Sequence, residues 1–141
     1  MKPFLYITSI LFLFSGTGLR AQTNIDLPPA DFEKAIQAEG IQLWDVRRPD
    51  EFAQGHIRGA TLVNWEDKAQ FEAHAQHLDK NETVYVYCRS GKRSRQAADW
   101  LQEKGFIHVV NLEGGLLGWK EQDKPIAVNP SAQPIGSTPQ P

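Results

Sequence analysis

The chain has 141 residues, 40% of them apolar, with 15 Lys and Arg against 17 Asp and Glu. That is enough apolar material for one domain with a single core covered on both faces, and it leaves no room for a second domain. A mildly acidic chain without an extended basic face is not a nucleic-acid binder, and its one dense cationic stretch, Arg89 to Arg95, suits a small anion.

Residues 1–21 read as a secretory signal peptide. Lys2 precedes an apolar run from Phe4 to Phe14, broken only by Thr8 and Ser9, and small residues then lead to Ala21-Gln22. The run is shorter than the roughly 20 residues a membrane span requires, so an uncleaved anchor is the weaker reading. Cleavage is expected after Ala21, with Gly16-Thr17-Gly18 as the alternative site. No cysteine follows either site, so no lipid-modified amino terminus is expected. Loss of Lys2 and Arg20 leaves thirteen basic residues against seventeen acidic, a net charge of −4. The mature chain is expected in the periplasm or outside the cell, as a monomer with no stable membrane association.

From residue 22 to residue 124 strand and helix signals alternate. Phe32, Ala35 and Ile36 mark a helical stripe closed by Gly40, and Ile41 to Val46 read as a strand. Pro49 to Gln54 predict a short helix ended by Gly55, and Thr61 to Asn64 a second strand. Phe71, Ala75 and Leu78 define the next helix. Val84 to Tyr87, all β-branched or aromatic, predict a strand buried on both faces. Arg93 to Lys104 follow as a helix ended by Gly105, with Ala97, Trp100 and Leu101 turned inward, and Phe106 to Leu112 form the last strand. Gly114-Gly115 make a close-packed turn before a helix from Leu116 to Glu121, with Trp119 in the core. The alternation predicts an α/β fold, a small doubly wound parallel sheet with helices on both faces and ligands at the carboxyl ends of the strands. Residues 125–141, rich in Pro, Ser, Gly and Gln, predict a flexible tail.

The only cysteine, Cys88, stands where the Val84–Tyr87 strand gives way to the turn Arg89-Ser90-Gly91-Lys92-Arg93-Ser94. A strand-to-helix turn points backbone N–H groups into one concavity, and the following helix adds its positive dipole end. With Arg89, Lys92, Arg93 and Arg95 nearby, the turn favours both a thiolate and an anionic substrate. An inert buried thiol is the competing reading, and the cationic turn weighs against it. One cysteine cannot make an internal disulfide, so the thiol is kept for chemistry or for an intermolecular partner. In an oxidising space it needs a reducing partner or persulfide capping.

Three segments together resemble the single-domain rhodaneses. They are Asp45-Val46-Arg47 with Glu51-Phe52 and Gly55-His56-Ile57-Arg58-Gly59-Ala60, then Cys88 to Ser94, then Leu112-Glu113-Gly114-Gly115 followed by Trp119. Their order and spacing match over roughly residues 26–122. The resemblance implies a sulfurtransferase with Cys88 as the catalytic nucleophile and Arg89, Ser90, Gly91, Lys92 and Arg93 as substrate-binding residues. It implies double displacement: Cys88 takes the outer sulfur of thiosulfate, or of a similar small anionic donor, as a persulfide. A thiol, cyanide or a dithiol protein then accepts that sulfur. It implies no cofactor. Asp45 and Arg47 would brace the loops as an ion pair or touch substrate directly, and His56 would tie Gly55 to Gly59 by hydrogen bonds rather than act as a base. His74, His77 and His108 share no ligand spacing with a cysteine or carboxylate, so no metal site is expected.

Two rival readings stand beside this one. Dual-specificity phosphatases and arsenate reductases related to this fold carry arginine six positions after the cysteine, in a loop one residue longer. Here that position is Ser94 and the arginine is Arg93, a loop sized for sulfur transfer. A non-enzymatic persulfide carrier or binding module would keep the same cysteine and loop.

Expression of the full chain in a host with a Sec pathway should yield periplasmic protein whose amino-terminal sequencing begins at or near Gln22. Soluble cytoplasmic protein that retains Met1 would refute the signal peptide.

Overall fold

In the computed structural model, which describes residues 21–128, five short strands pair in parallel in a single sheet. In chain order the elements are β1 Thr23–Leu27, α1 Pro29–Ala35, β2 Gln42–Asp45, α2 Pro49–Ala53 and β3 Thr61–Leu62. They continue with α3 Lys68–Gln76, β4 Thr83–Tyr87, α4 Lys92–Glu103, β5 His108–Leu112 and α5 Gly115–Glu121. The sheet order β1-β5-β4-β2-β3 puts β4, the strand that leads into Cys88, in the middle.

The side-chain alternation of the central strands explains why helices cover both faces. Val84, Val86 and Cys88 point to one side, where they pack with Trp44, with Phe71 and Ala75 of α3, and with Ala97, Ala98 and Leu101 of α4. Tyr87 points to the other, with Leu43, Val110 and Leu112, and meets Phe32 of α1 and Leu116 and Trp119 of α5. Each large side chain fully withdrawn from water contributes about 1.5–3 kcal/mol before conformational entropy is set against it. The expected doubly wound α/β architecture is the one the chain adopts.

Several elements differ from the sequence reading. β1 has no strand signal in the sequence: among the described residues it pairs only with β5, from Thr23 opposite His108 to Leu27 opposite Leu112, and Ile25 is left exposed. Its backbone hydrogen bonds hold it, assisted by Asn111 Nδ2 donating to Asp26 Oδ1 at 2.7 Å, so it carries little hydrophobic pattern. α1 ends at Ala35, and turns carry the chain on to Gly40. Trp100 does not join the fully buried face of α4; it sits half-buried at the rim, its ring edge-on to Phe71 at 5.5 Å.

The expected flexible tail is corrected at its start. Trp119 Nε1 donates to the carbonyl of Pro125 at 3.0 Å, and Ile126 packs against the α1/α5 side of the core. Ala127 exchanges two backbone hydrogen bonds with His56, at 2.7 and 2.9 Å, as an antiparallel bridge. One isoleucine between a proline and an alanine has no periodicity, so only the tertiary contact reveals this strap. Residues 129–141 of the expected tail and residues 1–20 of the expected signal peptide lie outside the described residues.

A chain ending at Lys124 loses the Ile126 contact and both His56–Ala127 hydrogen bonds. Its stability by urea denaturation should fall by about 2 kcal/mol, whereas a chain ending at Val128 keeps the full value. Equal stability of the two truncations would show that the strap contributes nothing.

Candidate active site

Cys88 follows the last residue of β4 and is 1% exposed. Two donors aim at its sulfur: the backbone N–H of Gly91 at 3.1 Å and the hydroxyl of Ser94 at 3.4 Å. Gly91 holds φ at +96°, in the left-handed region where a side chain is strained, and this turn presents its N–H to the sulfur. Ser94 is wholly buried in the first turn of α4. From the sequence, Ser94 serves only as a marker of loop length. Its signal was its spacing, since a residue in the first turn of a helix faces back toward the turn that precedes it.

The loop rests on α5. The N–H groups of Leu116 and Leu117, in the first turn of that helix, donate to the carbonyls of Cys88 at 2.8 Å and Arg89 at 3.0 Å. These are the donors that a helix start leaves without intrahelical partners. The approach is so close that a Cβ on Gly115 would stand 2.6 Å from the Arg89 oxygen and 2.7 Å from the Cys88 oxygen. This is the physical reason for glycine at 115, whereas Gly114 serves the left-handed φ of +73° that opens α5.

The basic residues of the turn part company. Arg93 makes a two-pronged pair with Glu51 of α2, both contacts at 2.8 Å, and reaches Glu66 at 3.4 Å. Arg48 adds to the same cluster, 3.4 Å from Glu51 and 3.7 Å from Glu66. The Arg93 hydrogen bonds hold the Glu51 carboxyl down at about 2, and the same pairing pushes the Arg93 guanidinium above its ordinary value. Arg95 turns away to β1, where it pairs with Asp26 and donates to Asn24 Oδ1 at 2.7 Å, so it does not serve the sulfur. Arg89, Ser90 and Lys92 are exposed, and among the described residues the Arg89 and Lys92 head groups have no acidic partner.

Asp45 and Arg47 form a buried brace. Arg47 Nε lies 2.9 and 3.0 Å from the two Asp45 oxygens and Nη2 is 2.6 Å from Oδ2, while Nη2 also donates to the carbonyl of Gly55 at 2.7 Å. Next to this pair, the Tyr87 hydroxyl accepts the Ile57 N–H at 3.0 Å. Burial, with Asp45 beside it, pushes the Tyr87 hydroxyl far above its ordinary value, so it stays neutral. Together these contacts fix residues 55–57 to the sheet. His56 does not tie Gly55 to Gly59 as expected. Its Nδ1 lies 3.1 Å from the carbonyl of Phe52, its ring stacks on the Phe52 ring at 3.8 Å, and its backbone holds Ala127.

Beside the loop opens a cavity of about 180 Å³, lined by Arg47, Glu51 and Gly55 together with Arg89, Leu117 and Lys120. Buried nucleophilic sulfur, donors aimed at it, a cationic rim and an adjoining recess are the parts of a group-transfer site for a small anion.

Residues 28–122 match the model of the rhodanese-like domain. A sulfurtransferase of Allochromatium vinosum is 34% identical over 94 residues, covering 67% of this chain and 85% of that protein. A thiosulfate sulfurtransferase of Shewanella oneidensis is 38% identical over 85 residues, 60% of this chain and 81% of that one. Among solved structures, a rhodanese-related protein from Thermoplasma volcanium superposes with a TM-score of 0.64 at 26% identity, over 74% of this chain and 98% of that one.

The Glu51–Arg93 pair gives a pH test. A carboxyl whose folded value is about 2 stabilises the fold fully above its ordinary 4.5 and loses that contribution as pH falls toward 2. The stability difference between wild type and Glu51→Gln should therefore be constant from pH 7 to about 5 and narrow steadily below 4.5. A difference that stays unchanged down to pH 3, by urea denaturation, would remove the pair from the stability of the fold.

Proposed function

The chain belongs to the rhodanese-like domain family, and we propose that it moves a sulfane sulfur from thiosulfate, or a similar small anionic donor, to a thiophilic acceptor through a persulfide on Cys88. The observation that carries the proposal is the pair of donors converging on the Cys88 sulfur, the Gly91 N–H at 3.1 Å and the Ser94 hydroxyl at 3.4 Å. Donors placed there can hydrogen-bond a negative sulfur at that point, on the cysteine and, after transfer, on the persulfide.

In the first half-reaction the Cys88 thiolate attacks the outer sulfur of thiosulfate. The sulfur–sulfur bond of the donor breaks, and sulfite leaves with its electron pair. In the second, a nucleophilic acceptor attacks the terminal sulfur of the persulfide, and Cys88 departs as the thiolate that starts the next cycle. The exposed Arg89 and Lys92 supply an uncompensated positive field for an anionic donor. Arg93, already neutralised by Glu51, serves chiefly to hold the first turn of α4 against α2 and the loop before α3. Export belongs to the same proposal, since a lone thiol in an oxidising space is protected while it is capped as a persulfide.

Phosphoryl transfer is disfavoured by the same geometry. A guanidinium six residues after the cysteine would grip the oxygens of a phosphate, and in its place is a neutral hydroxyl turned to the sulfur.

Incubation with thiosulfate should add the mass of one sulfur atom to the intact protein, and Cys88→Ser should add none. Ser94→Ala should lower kcat/KM for thiosulfate by about tenfold, the effect of one lost hydrogen bond to a charged sulfur of about 1.5 kcal/mol. Hydrolysis of aryl phosphates should stay at background. Sulfur uptake by Cys88→Ser, or robust phosphatase activity that depends on Cys88, would overturn the assignment, and loading without turnover would identify a carrier instead.

A further inference from the structure

Of the basic residues in the cysteine turn, Arg93 is the one whose charge is cancelled close to the sulfur. It directly precedes Ser94, whose hydroxyl is 3.4 Å from the Cys88 sulfur, and both stand in the first turn of α4. Two contacts of 2.8 Å tie its guanidinium to Glu51, and Glu66 approaches to 3.4 Å. The Glu51 hydrogen bonds first, then the charges of Glu51, Cys88 and Glu66, raise that guanidinium above its ordinary value against the cost of burial. Sulfur, guanidinium and carboxylates therefore lie within reach of one another's charge, which acts without contact over about a Debye length, ~8–10 Å.

The cluster around Arg93 adds no positive charge to the site. Arg48 lies 3.4 Å from Glu51 and 3.7 Å from Glu66, and Asp50 comes within 4.0 Å of it at the exposed edge, so two guanidiniums face three carboxylates. Glu51, its side chain only 15% exposed, is the most sheltered of the three. Its carboxyl, held at about 2 by the Arg93 hydrogen bonds, is ionised throughout the neutral range. Glu66, 48% exposed, is more strongly screened. A turn built only to attract anions would leave Arg93 free beside Arg89 and Lys92, whereas here a carboxylate opposes the charge that the turn supplies.

We propose that Glu51, with Glu66 behind it, is a specificity-determining residue: it cancels Arg93 near the sulfur and so weakens the site for a doubly charged sulfur donor relative to a singly charged one. The inference rests on the persulfide reading above and names donor charge as the property this cluster selects. Thiosulfate carries two negative charges and methanethiosulfonate one, yet both offer an outer sulfur to the same attack. In each case the Cys88 thiolate bonds to that sulfur and the donor's sulfur–sulfur bond breaks. Its electron pair leaves with sulfite or with methanesulfinate, and no oxidant or reductant enters the balance.

The test compares kcat/KM for the two donors in the full chain, with cyanide as the acceptor. Glu51→Gln should raise the ratio of thiosulfate to methanethiosulfonate by about fivefold, the effect of one sheltered charge several ångströms away. Glu66→Gln should raise it less, and Arg48→Gln, which removes a cation from the same cluster, should lower it. A Glu51 that merely holds α2 against α4 would lower both kcat/KM values together and leave the ratio untouched. A ratio that stays put in Glu51→Gln, or in both Glu66→Gln and Arg48→Gln where the first variant does not fold, overturns the proposal. A second measurement needs no sulfur donor. Iodoacetate carries one negative charge and iodoacetamide none, and both alkylate the same lone thiol, so the ratio of their rates at Cys88 should rise in Glu51→Gln by a similar factor. Absence of that rise overturns charge selection even where thiosulfate loads the protein. Failure of wild type to load with either donor, with the alkylation ratio still moved, counts against the persulfide reading alone.

Discussion

The site depends on one close approach, the backbone of α5 against the backbone of the cysteine turn. Two helix-start N–H groups meet the carbonyls of Cys88 and Arg89, and only a residue without a Cβ fits between them at position 115. Each of these hydrogen bonds is of ordinary strength, about 1 kcal/mol. Their value lies in where they act. They hold the carbonyl side of the turn, so the N–H side, with Gly91, is left facing the sulfur. The same contact sets Leu117 beside Arg89, where both line the neighbouring recess.

Charge is distributed so that burial and catalysis do not compete. Asp45, with no exposure, has its charge answered by Arg47, which in turn holds the Gly55 carbonyl. A buried pair of this kind contributes little net stability, because desolvation offsets much of the attraction, but it specifies position: with both partners fixed, residues 55–57 have one place to lie. Arg93 is likewise held by Glu51, in the half-exposed layer where screening is stronger. The charges left over, Arg89, Lys92 and Lys120, are on the surface, where hydration keeps them and a passing anion can meet them.

The far wall of the recess is supported from outside the matched family region, which ends at residue 122. Ile126 comes against Gly55, the residue whose carbonyl Arg47 holds, and Ala127 pairs with the adjacent His56. Thus the segment after α5 closes back onto the turn after α2, and both walls of the recess trace to contacts made by the last third of the chain.

Much of this was legible in the residues. Val84 to Tyr87 read as a strand buried on both faces, Gly105 as the stop of the helix before it, and the lone cysteine as standing at the strand's end with glycine and cations after it. Those signals are local, set by backbone preference and by hydrophobic period, which act within a few residues. β1, the Pro125–Ala127 strap, the diversion of Arg95 to Asp26 and of Arg93 to Glu51, and the turn of Ser94 toward the sulfur were not legible. Each depends on a partner some distance along the chain or on the direction of a side chain, and hydrogen bonds to a distant partner leave no periodic mark. Sequence by itself therefore determined the fold and the place of the lone cysteine in it, at the end of the central strand. Only the tertiary structure decided which of the nearby cations remain free to meet a substrate, because an ion pair needs both partners in place and the chain brings them together only on folding.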